Sequence, residues 1–299
     1  MKSNSTHQIS VADMQYGAAN SRRLLVDTVQ ALTPFQDAVT VVGAHAIHIW
    51  IEQTWGKSEM QATRDGDIVL NPRFVTEDPK LIDLMASIGI IPILEDRPGI
   101  YGYKDEIAKE WIQRTTVDLI VPEAYAGPGR RAARIAGQRH AASRAIGLEL
   151  AIWDRTLTKL TTTDEPIESA EAYVAGPAAL LTAKAHKVYE RLAEIATKPQ
   201  RLKPKDSGDV ALLMMISDPE EVAQIMLNSA FSHPEIKSVI YSAATWLVDM
   251  YQAKTSIPRL QAIASLESRF EEAEVASAID NWLDKFSTAF SQHSHETSE

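Results

Sequence analysis

Two aspartates two residues apart carry the first chemistry in this chain. In T-R-D-G-D-I-V-L, Asp65 and Asp67 stand just ahead of an apolar run. Side chains at i and i+2 of a strand share a face, so both carboxylates project together, about 6–7 Å apart along the backbone. Like charges that close repel, and either one takes up a proton or a cation neutralises the pair. A divalent ion such as Mg2+ prefers oxygen ligands and suits them. An ordinary Asp/Gly turn before a strand carries the same letters, so the flanking sequence has to decide. A third carboxylate, Asp118, lies inside T-T-V-D-L-I-V, where isolation among apolar neighbours would be costly. It is either the solvent-facing alternate of a one-sided strand or a third ligand or general base for the same site.

The elements that must position these groups precede them. Val39–Val42 reads V-T-V-V, which is strand material. Gly43 and Ala44 are small and stop it, and His45–Gln53 has the pattern of a helix. A polar turn at Gly56-Lys57-Ser58 leads to a second short strand, Asp67–Leu70. A strand that ends in Gly-small at a helix start is a seat for phosphate, because the helix offers free N–H groups and a positive dipole end. His45 at that start could donate to a phosphate oxygen, whereas His48, one turn on, reads as packing. A phosphate seat followed within one helix by a same-face carboxylate pair suggests a nucleotide–metal site.

The string V-V-G-A-H-A-I-H-I-W … A-T-R-D-G-D-I-V-L resembles the opening of the nucleotidyltransferase superfamily that includes DNA polymerase β. It more closely resembles the AbiEii/AbiGii-type toxin branch of bacterial abortive-infection and toxin–antitoxin systems. The resemblance spans about Val39 to Ile216 and rests on motifs in order: a Gly-small pair, an aspartate pair, a later helical lysine and a K-D-x-x-D element. It implies an α+β fold, a nucleotidyltransferase core with a mixed β-sheet flanked by helices, followed by a C-terminal helical domain. It implies a metal site of Asp65, Asp67 and Asp118 for Mg2+ or Mn2+, and an NTP substrate held by Gly43, Ala44, His45, Thr63 and Lys184. Many members carry Gly-Ser at the phosphate seat; Gly43-Ala44 lacks that serine hydroxyl.

The lysine lies in L-L-T-A-K-A-H-K-V-Y-E-R. Lys184, Lys187 and Arg191 share one face of a helix expected over Ala178–Ala196, a stripe that by itself fits a solvated surface. The resemblance makes Lys184 a phosphate contact that would stabilise charge in the transition state. In K-D-S-G-D-V-A-L-L, Asp206 and Asp209 fit an N-cap with an acidic first turn. The resemblance instead lets either one orient Lys184, the nucleotide or the acceptor.

Between Gly127 and Leu148, Arg130, Arg131, Arg134, Arg139 and Arg144 occur with no acidic residue among them, in a chain of net charge −10. A solvated Ala-rich helix with its arginines paired elsewhere would explain them, and so would a contact surface for the phosphates of a nucleotide or an RNA.

The chain of 299 residues is of ordinary composition, 45% hydrophobic and 23% charged, and long enough for one large domain or two smaller ones. The absence of cysteine excludes disulfides and thiolate metal sites. The first ten residues lack the apolar stretch of a signal peptide, and no apolar run approaches the ~20 residues of a membrane span. The expectation is therefore a cytoplasmic protein without a membrane partner.

Residues 1–18 read as a flexible N-terminus, 19–175 as the core, 176–290 as the helical domain and 291–299 as a flexible polar tail with His293 and His295 solvated. Asn20 and Ser21 are candidate caps of a helix through Leu24, Leu25, Val29 and Leu32. Leu81–Ile88 reads as a helix, Ile90–Leu94 and Gly147–Trp153 as strands, and Thr161–Ser169 as a loop.

The function expected from the resemblance is transfer of a nucleoside monophosphate from an NTP to an acceptor. That acceptor is a tRNA 3′ end or another RNA, and the protein a toxin held off by a separate antitoxin. Two alternatives stay open: a non-catalytic nucleotide- or RNA-binding protein of the same fold, and transfer to a small molecule or protein.

Overall fold

The computed structural model describes residues 11–56, 63–106, 114–138 and 140–296. The centre of the sheet is the unit read from the sequence. Strand β1 (Val39–Val42) is buried along its whole length and feeds helix α2 (Gly43–Trp55), after which β2 (Asp65–Leu70) returns antiparallel to β1. Strands β3 (Ile90–Pro92), β4 (Ile100–Tyr103), β5 (Thr116–Pro122), β6 (Ser143–Ala145), β7 (Arg155–Thr161) and β8 (Ser169–Ala175) complete a mixed sheet. Its order is β3-β4-β5-β2-β1-β8-β7, with β6 beside β5.

One face of the sheet meets helix α1 (Val11–Ala31). Gly66, Ile68, Val117 and Leu119 are buried there, and Leu25 of α1 lies against Gly66. Helix α3 (Leu81–Ser87) packs beside β3.

The last strand ends at Ala175, and the remainder is helical. Gly176 caps α4 (Pro177–Ala193), with proline at the first helical position, where its fixed φ suits the turn. There follow α5 (Pro204–Ile216), α6 (Pro219–Ser232), α7 (Lys237–Gln252), α8 (Ile257–Leu266) and α9 (Glu272–Glu296). Helix α5 packs on α2, α4, α8 and α9, so it ties the helical half to the start of the site unit. The apolar stripe of α9, Ile279, Trp282, Leu283 and Phe286, is buried as its spacing predicts.

Several expectations are corrected. Helix α1 begins at Val11, so residues 11–18 are helical and Ser21 is no cap. Its hydroxyl is instead 2.8 Å from His45 Nε2 across the α1–α2 interface. Residues 149–152 form a 3-10 turn, not a strand: the Glu149 carboxylate gathers the N–H groups of Gly147 and Ala124 and bends the chain away from the ladder.

The Arg-rich stretch is no helix. It folds back on itself through Ala132 and Ser143 and contributes β6. Helix α9 continues to Glu296, past the expected start of a tail. Strands β4, β7 and β8 were not anticipated; the loop expected over Thr161–Ser169 is the connection between β7 and β8. Among the described residues no helix is long and apolar enough to cross a membrane.

Candidate functional site

Asp65 and Asp67 open β2, and β5 runs parallel to it with Asp118 directly opposite Asp67. The three carboxylates therefore occupy one face, the one away from α1, where Thr116, Asp118 and Ile120 stay partly accessible while their strand neighbours are buried. Neighbouring strands lie about 4.8 Å apart. At that separation two charges repel by about 3 kcal/mol at an effective dielectric near 20.

The titration of the carboxylates reflects this. Burial, reinforced by the charge of Asp65, pushes Asp67 up to about 6. Burial, with Asp67 and Asp65 beside it, pushes Asp118 up to about 8. Asp118 Oδ1 is buried and has no hydrogen-bond partner. For Asp65, burial acts upward but is outweighed by the Thr63 hydroxyl, its own backbone N–H, and the charges of Lys205 and Lys187, so its pKa is lowered. Thr63, itself buried, donates its hydroxyl to Asp65 Oδ1.

The ladder also brings the start of α2 to this face. Val42 lies opposite Asp67, so Gly43 comes next to the Asp67 side chain. Gly43 has φ +68°, the left-handed region that favours glycine. Gly43 and Ala44 are half-buried, and no side chain caps the first turn of α2. Its free N–H groups and positive dipole end open beside the carboxylates.

His45 is placed differently from the expectation of a phosphate donor. It is 4% exposed, its Nε2 is committed to Ser21, and its ring lies near Gly66, on the α1 side of β2. Burial first, then Arg22, His48 and Lys205, hold its pKa well below the usual histidine value, so the ring is neutral.

Helices α4 and α5 pack against each other and against α2. Lys184 is 6% exposed and its ammonium donates to Asp209 at 2.6 Å and to Asp206 at 3.2 Å. Asp206 also takes Lys187 at 3.1 Å and pairs with Arg191. Burial alone would lower the Lys184 pKa; Asp209 and Asp206 overcome it and raise it. Burial would raise Asp206, but Lys184, Lys187 and Arg191 draw it down to about 2. The basic stripe of α4 is thus an ion-pair network that clamps α4 to α5, and the K-D-x-x-D carboxylates are its other half. Asp206 falls in the first turn of α5, as the capping alternative required, but neither it nor another side chain caps the helix.

Two cations that the sequence displayed without a role emerge here. The charges of Lys187 and Lys205 act on Asp65 and Asp67, and Lys187 also on Asp118. Their signals were in the letters: Lys187 is three residues beyond Lys184, and Lys205 is the first letter of K-D-S-G-D.

Arg130, Arg131 and Arg134 are exposed, and among the described residues no salt bridge engages them. They follow the C-terminal end of β5, beyond Asp118, and the cations that act on the carboxylates are lysines of α4 and α5 instead. Arg144 is spent on Glu123 and the Gly127 carbonyl. Arg139 lies outside the described residues, as do Lys57 and Ser58 of the expected polar turn. Two cavities lie apart from the cluster, one of about 760 Å3 between α6 and α9 and one of about 490 Å3 beside Arg134 and Gln138.

Among the described residues no three Asp, Glu or His side chains are gathered, as they stand, into a group that could hold a metal ion. The chemistry of the donor set nevertheless fits a divalent cation: an unpartnered buried oxygen on Asp118, two carboxylates in register and a third two residues away, with raised proton affinity where the charges crowd.

Comparison of the chain with protein-family models, with curated proteins and with solved structures gave no match.

Proposed function

We propose that the chain is a nucleotidyltransferase of the polymerase-β kind, moving a nucleoside monophosphate from an NTP to an acceptor hydroxyl. The observation that carries the reading is the register of Asp67 with Asp118, with Asp65 on the same face and the uncapped start of α2 alongside. Asp65 and Asp67, with Asp118, would hold Mg2+ or Mn2+. When bound, that ion supplies positive charge to the phosphate oxygens and lowers the pKa of the attacking hydroxyl.

The chain's own residues do the rest. Gly43 and Ala44 leave the first N–H groups of α2 open to the β- and γ-phosphates. The acceptor oxygen attacks the α-phosphorus, the bond to the β-phosphate oxygen breaks, and pyrophosphate leaves with that electron pair. The acceptor proton goes to the Asp118 carboxylate oxygen that the ion leaves free.

By the same resemblance, the acceptor is an RNA such as a tRNA 3′ end, met by Arg130, Arg131 and Arg134, whose charges are free for phosphates. The physiological role is that of a toxin held off by a separate antitoxin.

One observation favours a second reading, a protein that binds nucleotide or RNA without turnover: no three ligand side chains are gathered among the described residues. Pyrophosphate release separates the two. Each NTP is incubated with Mg2+ and total tRNA, and pyrophosphate is measured for the wild type, Asp65→Asn and Asp67→Asn. Release that requires both aspartates supports transfer; nucleotide binding without release supports the passive protein.

A further inference from the structure

We infer that the cavity of about 490 Å3 in the Arg-rich stretch binds a small organic carboxylate with an apolar body, its oxygens held by Arg134 and Gln138. The site is separate from the aspartate cluster, and the inference does not depend on nucleotidyl transfer.

The cavity is lined by Ala133, Arg134, Ile135, Gly137 and Gln138. The stretch that carries them is pinned on both sides: the Ala133 N–H donates to the Ala142 carbonyl and the Arg134 N–H to the Ala126 carbonyl, each at 3.0 Å. Ala133 and Ile135 belong to the buried core and make the wall apolar. Gln138 is 8% exposed. Its Oε1 accepts the Ile82 N–H at 3.2 Å, which fixes the orientation of the amide and makes Nε2 the donor end. That Nε2 is buried and has no acceptor among the described residues. A buried donor left without a partner costs more than an ordinary hydrogen bond returns, and a ligand oxygen seated in the adjoining cavity removes that cost.

The backbone at the cavity is also held against its preference. The Gln138 N–H donates back to the Ile135 carbonyl at 2.6 Å, and the two residues between them, Ala136 and Gly137, have φ +36° and +70°. Two positive φ values in succession are the pattern of a type I′ turn, which glycine and asparagine favour and the Cβ of an alanine opposes. Strain of this kind persists where the surrounding structure demands it, and it gathers at ligand sites.

Charge sets the class of ligand. Of the three exposed arginines without an ion pair, Arg134 is the one that lines this cavity, and it is the single charged residue among the five. A Cβ on Gly137 would fall 3.5 Å from Glu77 Oε1, so a carboxylate stands close by. One guanidinium with a carboxylate near it favours a monoanion over a dianion such as a phosphate monoester. A ligand carboxylate takes the planar guanidinium through both oxygens, and one of them has a lone pair left for Gln138. Ala133 and Ile135 then meet the apolar body, the usual division between apolar wall and a few placed polar groups.

The test titrates benzoate, acetate and inorganic phosphate into the isotope-labelled full chain and follows the side-chain resonances of Gln138 and Arg134. Arg134→Gln, Arg134→Lys and Gln138→Glu are measured beside the wild type. Benzoate is expected to bind with a Kd of about 1 mM or tighter and to shift the Gln138 amide and Arg134 Nε signals together. Acetate, which lacks the apolar body, binds about tenfold more weakly or worse. Arg134→Gln weakens benzoate about tenfold or more, and Arg134→Lys recovers part of the loss. Arg134 is exposed, so both variants keep the wild-type melting temperature. Gln138→Glu retains the acceptor for Ile82, puts negative charge in place of the donor, and abolishes binding.

A benzoate Kd weaker than about 1 mM overturns the assignment. So do phosphate binding as tight as benzoate, benzoate binding unchanged in Arg134→Gln, and shifts that pass Gln138 and Arg134 by. Each of these results leaves nucleotidyl transfer untouched.

Discussion

The Asp67 carboxylate occupies the space that a side chain at residue 43 would need. A Cβ on Gly43 would fall 2.1 Å from Asp67 Oδ2 and 3.0 Å from its Cγ. The helix start and the central carboxylate are thus fitted to each other through one missing methyl group, and the left-handed backbone at Gly43 adds a second reason for glycine.

Gly43→Ala should therefore damage both stability and chemistry. The backbone conformation alone costs about 1–2 kcal/mol for a residue with a Cβ, and Asp67 must move as well. A displacement of about 1 Å at a reacting centre can lower the rate about 100-fold. Urea unfolding and pyrophosphate release check the two effects separately; a variant with wild-type values in both would refute the fitted arrangement.

Lys184→Gln tests the α4–α5 clamp. Asp209 loses its buried ion-pair partner, and breaking one side of such a pair costs about 3 kcal/mol or more. Lys187→Gln, at an exposed position whose carboxylate keeps Lys184 and Arg191, should cost well under half as much. Denaturant midpoints of the two variants give the comparison, and equal losses would argue against the clamp.

Asp118→Asn should make the metal-free protein more stable, because burial and the neighbouring aspartates force this carboxyl to take up a proton near neutral pH and asparagine carries no such cost, a gain of about 0.5–2 kcal/mol. Mg2+ should raise the melting temperature of the wild type and leave that of the variant unchanged. Thermal melts with Mg2+ and with EDTA read both effects. Loss of stability in EDTA would mean that Asp118 is held by structure and is not crowded by its neighbours.

Much of this arrangement could be read in the letters, and what could not has a physical reason. The β1–α2–β2 unit was legible because β-branched runs, a Gly-small stop and an i, i+2 acid pair are local signals. Asp118 was legible as a charge in an apolar run, although its pairing with Asp67 depends on a register set by strands about fifty residues apart. Strands β7 and β8 were missed because R-T-L-T-K-L-T and S-A-E-A-Y-V-A carry few large apolar residues; they are strands because they pair with each other and β8 with β1. The sharing of Lys184 between two aspartates more than twenty residues away is likewise a tertiary fact. A basic stripe has the same spacing whether it faces water or carboxylates.

Asp154 predicts a pH dependence away from the candidate site. Its carboxylate accepts the Ala179 N–H at 2.8 Å at the start of α4. A Cβ on Gly176 would fall 2.1 Å from its Oδ1. Burial raises its pKa from 3.8 to about 6. The folded state then holds a proton that the unfolded state has released, so this group's contribution is full below pH 3.8 and declines as pH rises to about 6. Asp154→Asn keeps the acceptor and removes the titration, so the difference in unfolding free energy between variant and wild type should shift in the variant's favour across that interval. Parallel pH–stability curves for the two proteins would contradict the assignment.

The most direct measurement follows the label from NTP to acceptor. The full chain is incubated with Mg2+, total tRNA and each NTP labelled in turn at the α- or the γ-phosphate, beside Asp67→Asn. Nucleotidyl transfer predicts that α-label from at least one NTP becomes attached to RNA, that γ-label leaves as pyrophosphate, and that Asp67→Asn does neither. Attachment of γ-label, or α-label transferred equally by wild type and Asp67→Asn, would contradict it.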